Sequence, residues 1–303
     1  MNARWTWWHT ACRTGFYHLI KVKMTMIDLI QNIFAYDFMR NALIASLLVG
    51  VACGLIGTLV VLNRIVFLGG GIAHAAYGGI GLAYYFGQDP MLGAILFSIL
   101  SALGMGVVHL RTKTRSDTLI GVMWSIGMAV GIIFVSLTPG FKADLMSYLF
   151  GSLLAVSGAD LRVMALVALL VIAFVGLLYR SLQAISFDET FSTVRNLPVA
   201  ALYLVMLVMI GLTVVVAMRI VGLIMVIAML TIPPATANLF LKDMKGMMLL
   251  SIGLSWLFSM VGLVTAFALN LQAGSVIILV AALSYLLAAA IKKLTARQKT
   301  YLP

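Results

Sequence analysis

Residues 64–87 read RIVFLGGGIAHAAYGGIGLAYYFG. The stretch is long and apolar enough to lie inside a bilayer, yet it carries three consecutive glycines, a GGIG further on, and His74 between them. On a helix, Gly70, His74, Gly78, Gly81 and Tyr85 recur at three- and four-residue steps and share one stripe. Gly71 and Tyr77 border it. Such a face lets another backbone approach closely, or leaves a lumen for a small solute. An ionisable ring at that depth is costly and points to function by default. Two readings therefore stand together: a plain helix-packing seam with a satisfied histidine, or a translocation pathway with a gate.

The remainder of the chain is equally apolar. Of 303 residues, 63% are hydrophobic and 10% charged, against roughly a quarter charged in soluble domains. Several windows of the length that crosses the hydrocarbon core run without interruption, so the chain reads as an all-α polytopic membrane protein. Short alternating segments of the kind that build a barrel are absent. The net charge of +11 does not imply nucleic acid. Lys and Arg lie between the apolar spans and at the ends, as topology signals and contacts to anionic lipid headgroups require. Cys12 and Cys53 form neither a disulfide framework nor a zinc motif.

Nine candidate spans follow, at about 38–62, 65–87, 90–110, 118–138, 161–179, 199–217, 220–241, 247–269 and 274–291. Residues 1–35 are basic and aromatic, without the apolar run of a secretory signal, and Met24 or Met26 is a plausible natural start. Residues 36–292 form the transmembrane domain and 293–303 a basic cytoplasmic tail. Arg111, Lys113 and Arg115, then Arg180 and Arg195, then Lys242 and Lys245, and last the tail can all be cytoplasmic if every span from 118 onward crosses. The first half then has a parity conflict. Three crossings before the first basic loop put the N-terminus outside, whereas its basic character argues for inside. Either 65–87 is broken or re-entrant at its glycines, or the basic segment is not in the mature chain, which leaves eight or nine crossings.

Three further segments carry expectations. Leu145 to Val156 is apolar but too short to span, and fits either a half-helix dipping into the membrane or a surface helix. In the inner loop 181–198, Ser186 is expected to cap a short helix with Glu189 three residues on, making either a docking element or a solvated connector. Pro233 and Pro234 remove ladder donors deep in the membrane and predict either a broken helix or a structural kink. Absences matter as well. No G-x-x-x-x-G-K-[ST] is present, so ATP is not bound through a P-loop. No Asp or Glu lies within an assigned span, which disfavours a self-powered carrier. No protease motif is visible. A pathway without an energy source implies a partner that supplies it.

Four stretches together resemble the permease subunits of ABC importers for zinc, manganese or iron. These are LGGGIAHAAYGGIGLAYYFG (68–87), SDTLIGVMWSIGMAVGIIFVSLTPG (116–140), FDETFSTVRNLPV (187–199) and RIVGLIMVIAMLTIPPATANLF (219–240). The resemblance implies a cobalamin-importer-like ABC permease fold in the plasma or inner membrane. It implies cytoplasmic ATPase subunits, an external metal-binding protein and a second permease copy, with no catalytic residue or cofactor of this chain's own. It makes Asp188, Glu189, Phe191 and Arg195 part of a coupling helix seated on the ATPase. By carry-over, His74 matches a gate histidine at the outward side and is the candidate metal ligand. His74, Gly70, Gly71, Tyr77, Gly78, Gly81, Pro233 and Pro234 then line the pathway. Two departures stand out: the family's Asp four residues before that histidine is Gly70 here, and Asn196 replaces its usual glycine. Competing classes are a self-contained channel or secondary carrier for a small solute, and a membrane subunit without a pathway.

Overall fold

A computed structural model describes residues 37–112, 116–139, 151, 153 and 156–299. The described residues are helical almost throughout. The long helices are α1 (Asp37–Leu62), α2 (Val66–Tyr85), α3 (Pro90–Thr112), α4 (Ser116–Leu137), α5 (Gly158–Phe187), α7 (Val199–Val221), α8 (Leu223–Phe240), α9 (Met244–Leu269) and α10 (Ala273–Lys299), with a short α6 (Glu189–Val194) between α5 and α7. Helix is the expected answer, because inside hydrocarbon each backbone N–H and C=O must be paired within its own segment.

Among the described residues, nine helices are long and apolar enough to cross a membrane. Of the two resolutions of the parity conflict, a break at the α2 glycines is removed, because α2 runs from Val66 to Tyr85 without interruption; the other, on the basic N-terminal segment, lies outside the described residues. Apart from residues 138–157 between α4 and α5, the connections between long helices are short. One end of the bundle then gathers Asn63, Arg64, His109, Glu189 and Tyr203 around a common cleft. The other end holds the Asp160–Arg219 ion pair, Nε to Oδ1 3.1 Å. The basic loops identify the first end as cytoplasmic. Under that assignment nine crossings would put residue 37 outside and Lys299 inside.

The core is built on α1 and α7. Helix α1 packs against α5, α8 and α9, and α7 against α3, α5 and α8. Their contact faces are small or flexible: Gly54 lies against Ile252, Gly57 against Leu230 and Pro234, and Met206, Leu207 and Ile210 are fully buried. By contrast, α5 and α10 expose rows of leucine, among them Leu166, Leu169, Leu279 and Leu283. In hydrocarbon such rows carry no solvation cost.

Three local expectations change. The helix of α5 does not stop where its hydropathy does. It begins at a capping box made by Ser157 and Asp160 and runs on past Arg180 to Phe187. Ser186 is therefore the last turn of α5, not a cap, and its hydroxyl accepts from Asn63 Nδ2 at 2.9 Å. The cap of α6 is Asp188, whose Oδ1 accepts from Phe191 N at 2.8 Å. Nor is α8 broken at its prolines, since Pro233 and Pro234 lie inside one continuous helix. Both rings are buried, and the Leu230 carbonyl and Pro234 ring come up against Gly57 of α1, which has no side chain to obstruct them. The true interruption is Gly222, at φ 86° and ψ 153°, which alone separates α7 from α8. That conformation is essentially restricted to glycine. The proposed dipping segment 145–156 lies largely outside the described residues.

Candidate translocation site

Helices α2 and α4 run in the same direction and meet in a regular ladder. Gly71 packs on Ile120. His74 stacks on Trp124, with ring centroids 3.8 Å apart and planes 10° apart. Gly78 faces the Gly127 carbonyl, and Gly81 lies against the Gly131 backbone. Tyr85 meets Phe134 edge-on at 5.3 Å. Each rung joins residues 49 or 50 positions apart, and the steps along both helices alternate three and four. That spacing keeps a seam aligned between two helices crossing at a small left-handed angle. The stripe read in the sequence is therefore the face α2 turns to α4, and the close rungs require glycine. A Cβ at Gly81 would land on the Gly131 carbonyl oxygen.

The other glycines of α2 serve other neighbours, because successive residues point ~100° apart. Gly69 packs on Leu230 and Ile210, and Gly79 abuts the Gly93 carbonyl of α3. Gly70 differs. A Cβ there would meet only Ile227, at an ordinary 3.7 Å. A small space thus opens one turn before His74.

His74 stands eight residues after Val66 and eleven before Tyr85, close to the middle of its span rather than at the outer end. The ring is half-buried. Its Nδ1 is enclosed without a hydrogen-bond partner, while Nε2 is not enclosed. Tyr77 lies on the next turn, with ring centroids 6.2 Å from His74, and is itself buried. Among the described residues no group of three His, Cys, Asp or Glu side chains could hold a metal ion. One copy of this chain therefore offers a cation one imidazole, walled by aromatic rings.

At the cytoplasmic end, α6 is an independent small structure. Asp188 caps it, Ser192 is fully buried, and Arg195 lies over the Phe191 ring at 5.5 Å. Phe191 is 53% and Val194 76% exposed. Asn196 ends it at φ 57°, a left-handed conformation that glycine adopts freely and asparagine tolerates. The glycine departure is thus conservative in backbone terms.

The sequence reading brought His74, Gly70, Gly71, Tyr77, Gly78 and Gly81 onto one helix, where they remain. Pro233 and Pro234 sit on α8 against α1, and the 188–195 group lies apart at the cytoplasmic end. The sequence reading missed Trp124 as the partner of His74, and the outer pair Asp160 and Arg219. The signal for Trp124 was available: Ile120, Trp124, Gly127, Gly131 and Phe134 repeat at the spacing of the α2 stripe.

The described residues thus form a body of nine membrane-length helices with a glycine-sealed parallel pair, a histidine midway along one span and a short capped helix at one end. The profile of the ABC 3 transport family matches residues 35–292, and the chain belongs to that family. An uncharacterised membrane protein of Synechocystis sp. is 51% identical over 274 residues, covering 90% of this chain and 98% of the relative. The manganese transport system membrane protein MntC of Listeria monocytogenes is 33% identical over 259 residues, covering 86% and 92%. In the solved structure of PsaBC from Streptococcus pneumoniae in complex with Fab, one chain superposes with a TM-score of 0.78 at 32% identity, covering 87% of this chain and 95% of that one. The chain is a multi-pass membrane permease of an ABC importer family.

Proposed function

We propose that this chain is the membrane subunit of an ATP-driven importer of divalent metal ions, zinc, manganese or iron. An external binding protein delivers the ion. Two cytoplasmic ATPase subunits supply the energy, and a second copy of this chain completes the pathway. The ion passes the α2–α4 pair beside His74, with Gly70, Gly71, Tyr77, Gly78 and Gly81 shaping the helix that carries it and Pro233 and Pro234 shaping α8 behind it. A second copy would bring a second imidazole, which answers the shortage of ligands in one. The chain itself hydrolyses nothing; ATP is consumed by the partner.

The observation that carries this reading is α6. Its inner side is anchored through buried Ser192, while Phe191 and Val194 project from the cytoplasmic end. A surface helix fixed on one side and apolar on the other is suited to seat in a partner's cleft and transmit its motion. The test is co-purification with the ATPase, followed by ATP-driven zinc or manganese uptake in proteoliposomes. Asp188→Ala with Glu189→Ala should weaken the association and reduce uptake several-fold. Asp188→Asn alone, which keeps a capping acceptor, should remain near wild type. Intact association and uptake in the double variant would remove α6 from the coupling role.

A further inference from the structure

A histidine that binds a metal through one ring nitrogen is usually held by a hydrogen bond from the other to a carboxylate or carbonyl, which fixes the ring's orientation. His74 has no such support. Nδ1 is buried and unpartnered, and among the described residues no group of three His, Cys, Asp or Glu side chains could hold a metal ion. The side chain against its face is instead the indole of Trp124, nearly coplanar at 3.8 Å. The indole is itself 42% exposed, so it covers the imidazole from outside α2. The rungs on either side hold the two rings at this distance, Gly71 on Ile120 and Gly78 on Gly127. A stacked contact restrains rotation about the His74 side-chain bonds and leaves the in-plane lone pair of Nε2 uncovered.

We propose that Trp124 is a positioning residue for transport: its indole, stacked on His74, holds the imidazole so that Nε2 faces the passing cation. The inference rests on the reading of His74 as the cation-contacting residue. It adds that the orienting role given elsewhere to a hydrogen-bonded carboxylate is taken here by an aromatic face. The rest of the α2–α4 seam supports the stack and touches no cation.

The test uses the permease–ATPase complex in proteoliposomes, with Zn²⁺ as the probe. Trp124→Leu keeps apolar bulk without a π-face; Trp124→Phe keeps a face. The expected result for Trp124→Leu is a rise in KM for Zn²⁺ of about tenfold, at the low end of what losing a ligand's orienting partner costs. Maximal rate and ATPase activity should be largely retained, and Trp124→Phe should recover most of the loss. A second readout needs no transport: the His74 ring-proton NMR resonance in nanodiscs, titrated with Zn²⁺. It should move out of the indole ring-current field in Trp124→Leu, and its titration midpoint should rise by a similar factor. An unchanged midpoint and KM in Trp124→Leu would overturn the proposal, as would a loss equal in Trp124→Phe. If wild-type protein shows no ATP-driven uptake, the importer reading fails, while the titration still decides the role of Trp124.

Discussion

At the residue scale, Gly70 and His74 belong together. They are one helical turn apart, and the space beside Gly70 is bounded only by Ile227, at 3.7 Å from a built Cβ. Among the described residues, His74 joins no group of three His, Cys, Asp or Glu side chains. Hard ions such as manganese prefer oxygen donors, while zinc accepts imidazole readily. Gly70→Asp places a carboxylate one turn from the imidazole, at a position where an added Cβ meets only Ile227, at an ordinary contact distance. We expect Gly70→Asp to fold normally and to shift uptake toward manganese relative to zinc by several-fold, measured as competition between the two ions in proteoliposomes. An unchanged ratio would mean that the cation is not selected beside His74.

At the element scale, the α2–α4 seam separates glycines that must be glycine from those that need not be. At Gly81 and Gly131 each added Cβ would land on the other helix's backbone, whereas Gly176 and Gly253 have open space around them. Overpacking of this kind typically costs about 1–3 kcal/mol. Gly81→Ala should therefore lower the thermal midpoint of the purified permease clearly, and Gly176→Ala should leave it within a degree or two. Matching midpoints would deny the seam its structural role. Much of this element was legible in advance. The three–four spacing of the stripe, the nine apolar spans and a short helix in the loop before α7 all follow from residue order. What could not be read was which helix the stripe meets, because the rungs join residues about fifty positions apart across an intervening α3. Hydropathy also hid two local facts. It ended α5 just before Arg180, although the helix runs on to Phe187 and a helix needs a stop signal rather than a charge to end. It gave no weight to Asp188 as a cap, because Ser186 offered the same pattern two residues earlier.

At the scale of the whole molecule, the arrangement of charges fixes orientation in the membrane. Nine crossings place the two ends of the helical body on opposite sides, with the α2–α3 connection outside and the α8–α9 connection inside. Gln88 and Lys242 are both exposed, one in each connection. Each added charge near a short loop biases insertion so that basic loops stay cytoplasmic, and Arg64, Arg111, Arg195, Lys242 and Lys245 all fall on one end. Cys53 is fully buried, so only Cys12 needs removal to give a quiet background for labelling. In that background, Gln88→Cys should react with a membrane-impermeant maleimide applied to intact cells. Lys242→Cys should react only after the membrane is opened. The reverse pattern would invert the permease and put α6 on the wrong side for an ATPase. Labelling of both from outside would mean that one of α3, α4, α5, α7 and α8, the long helices between the two sites, does not cross.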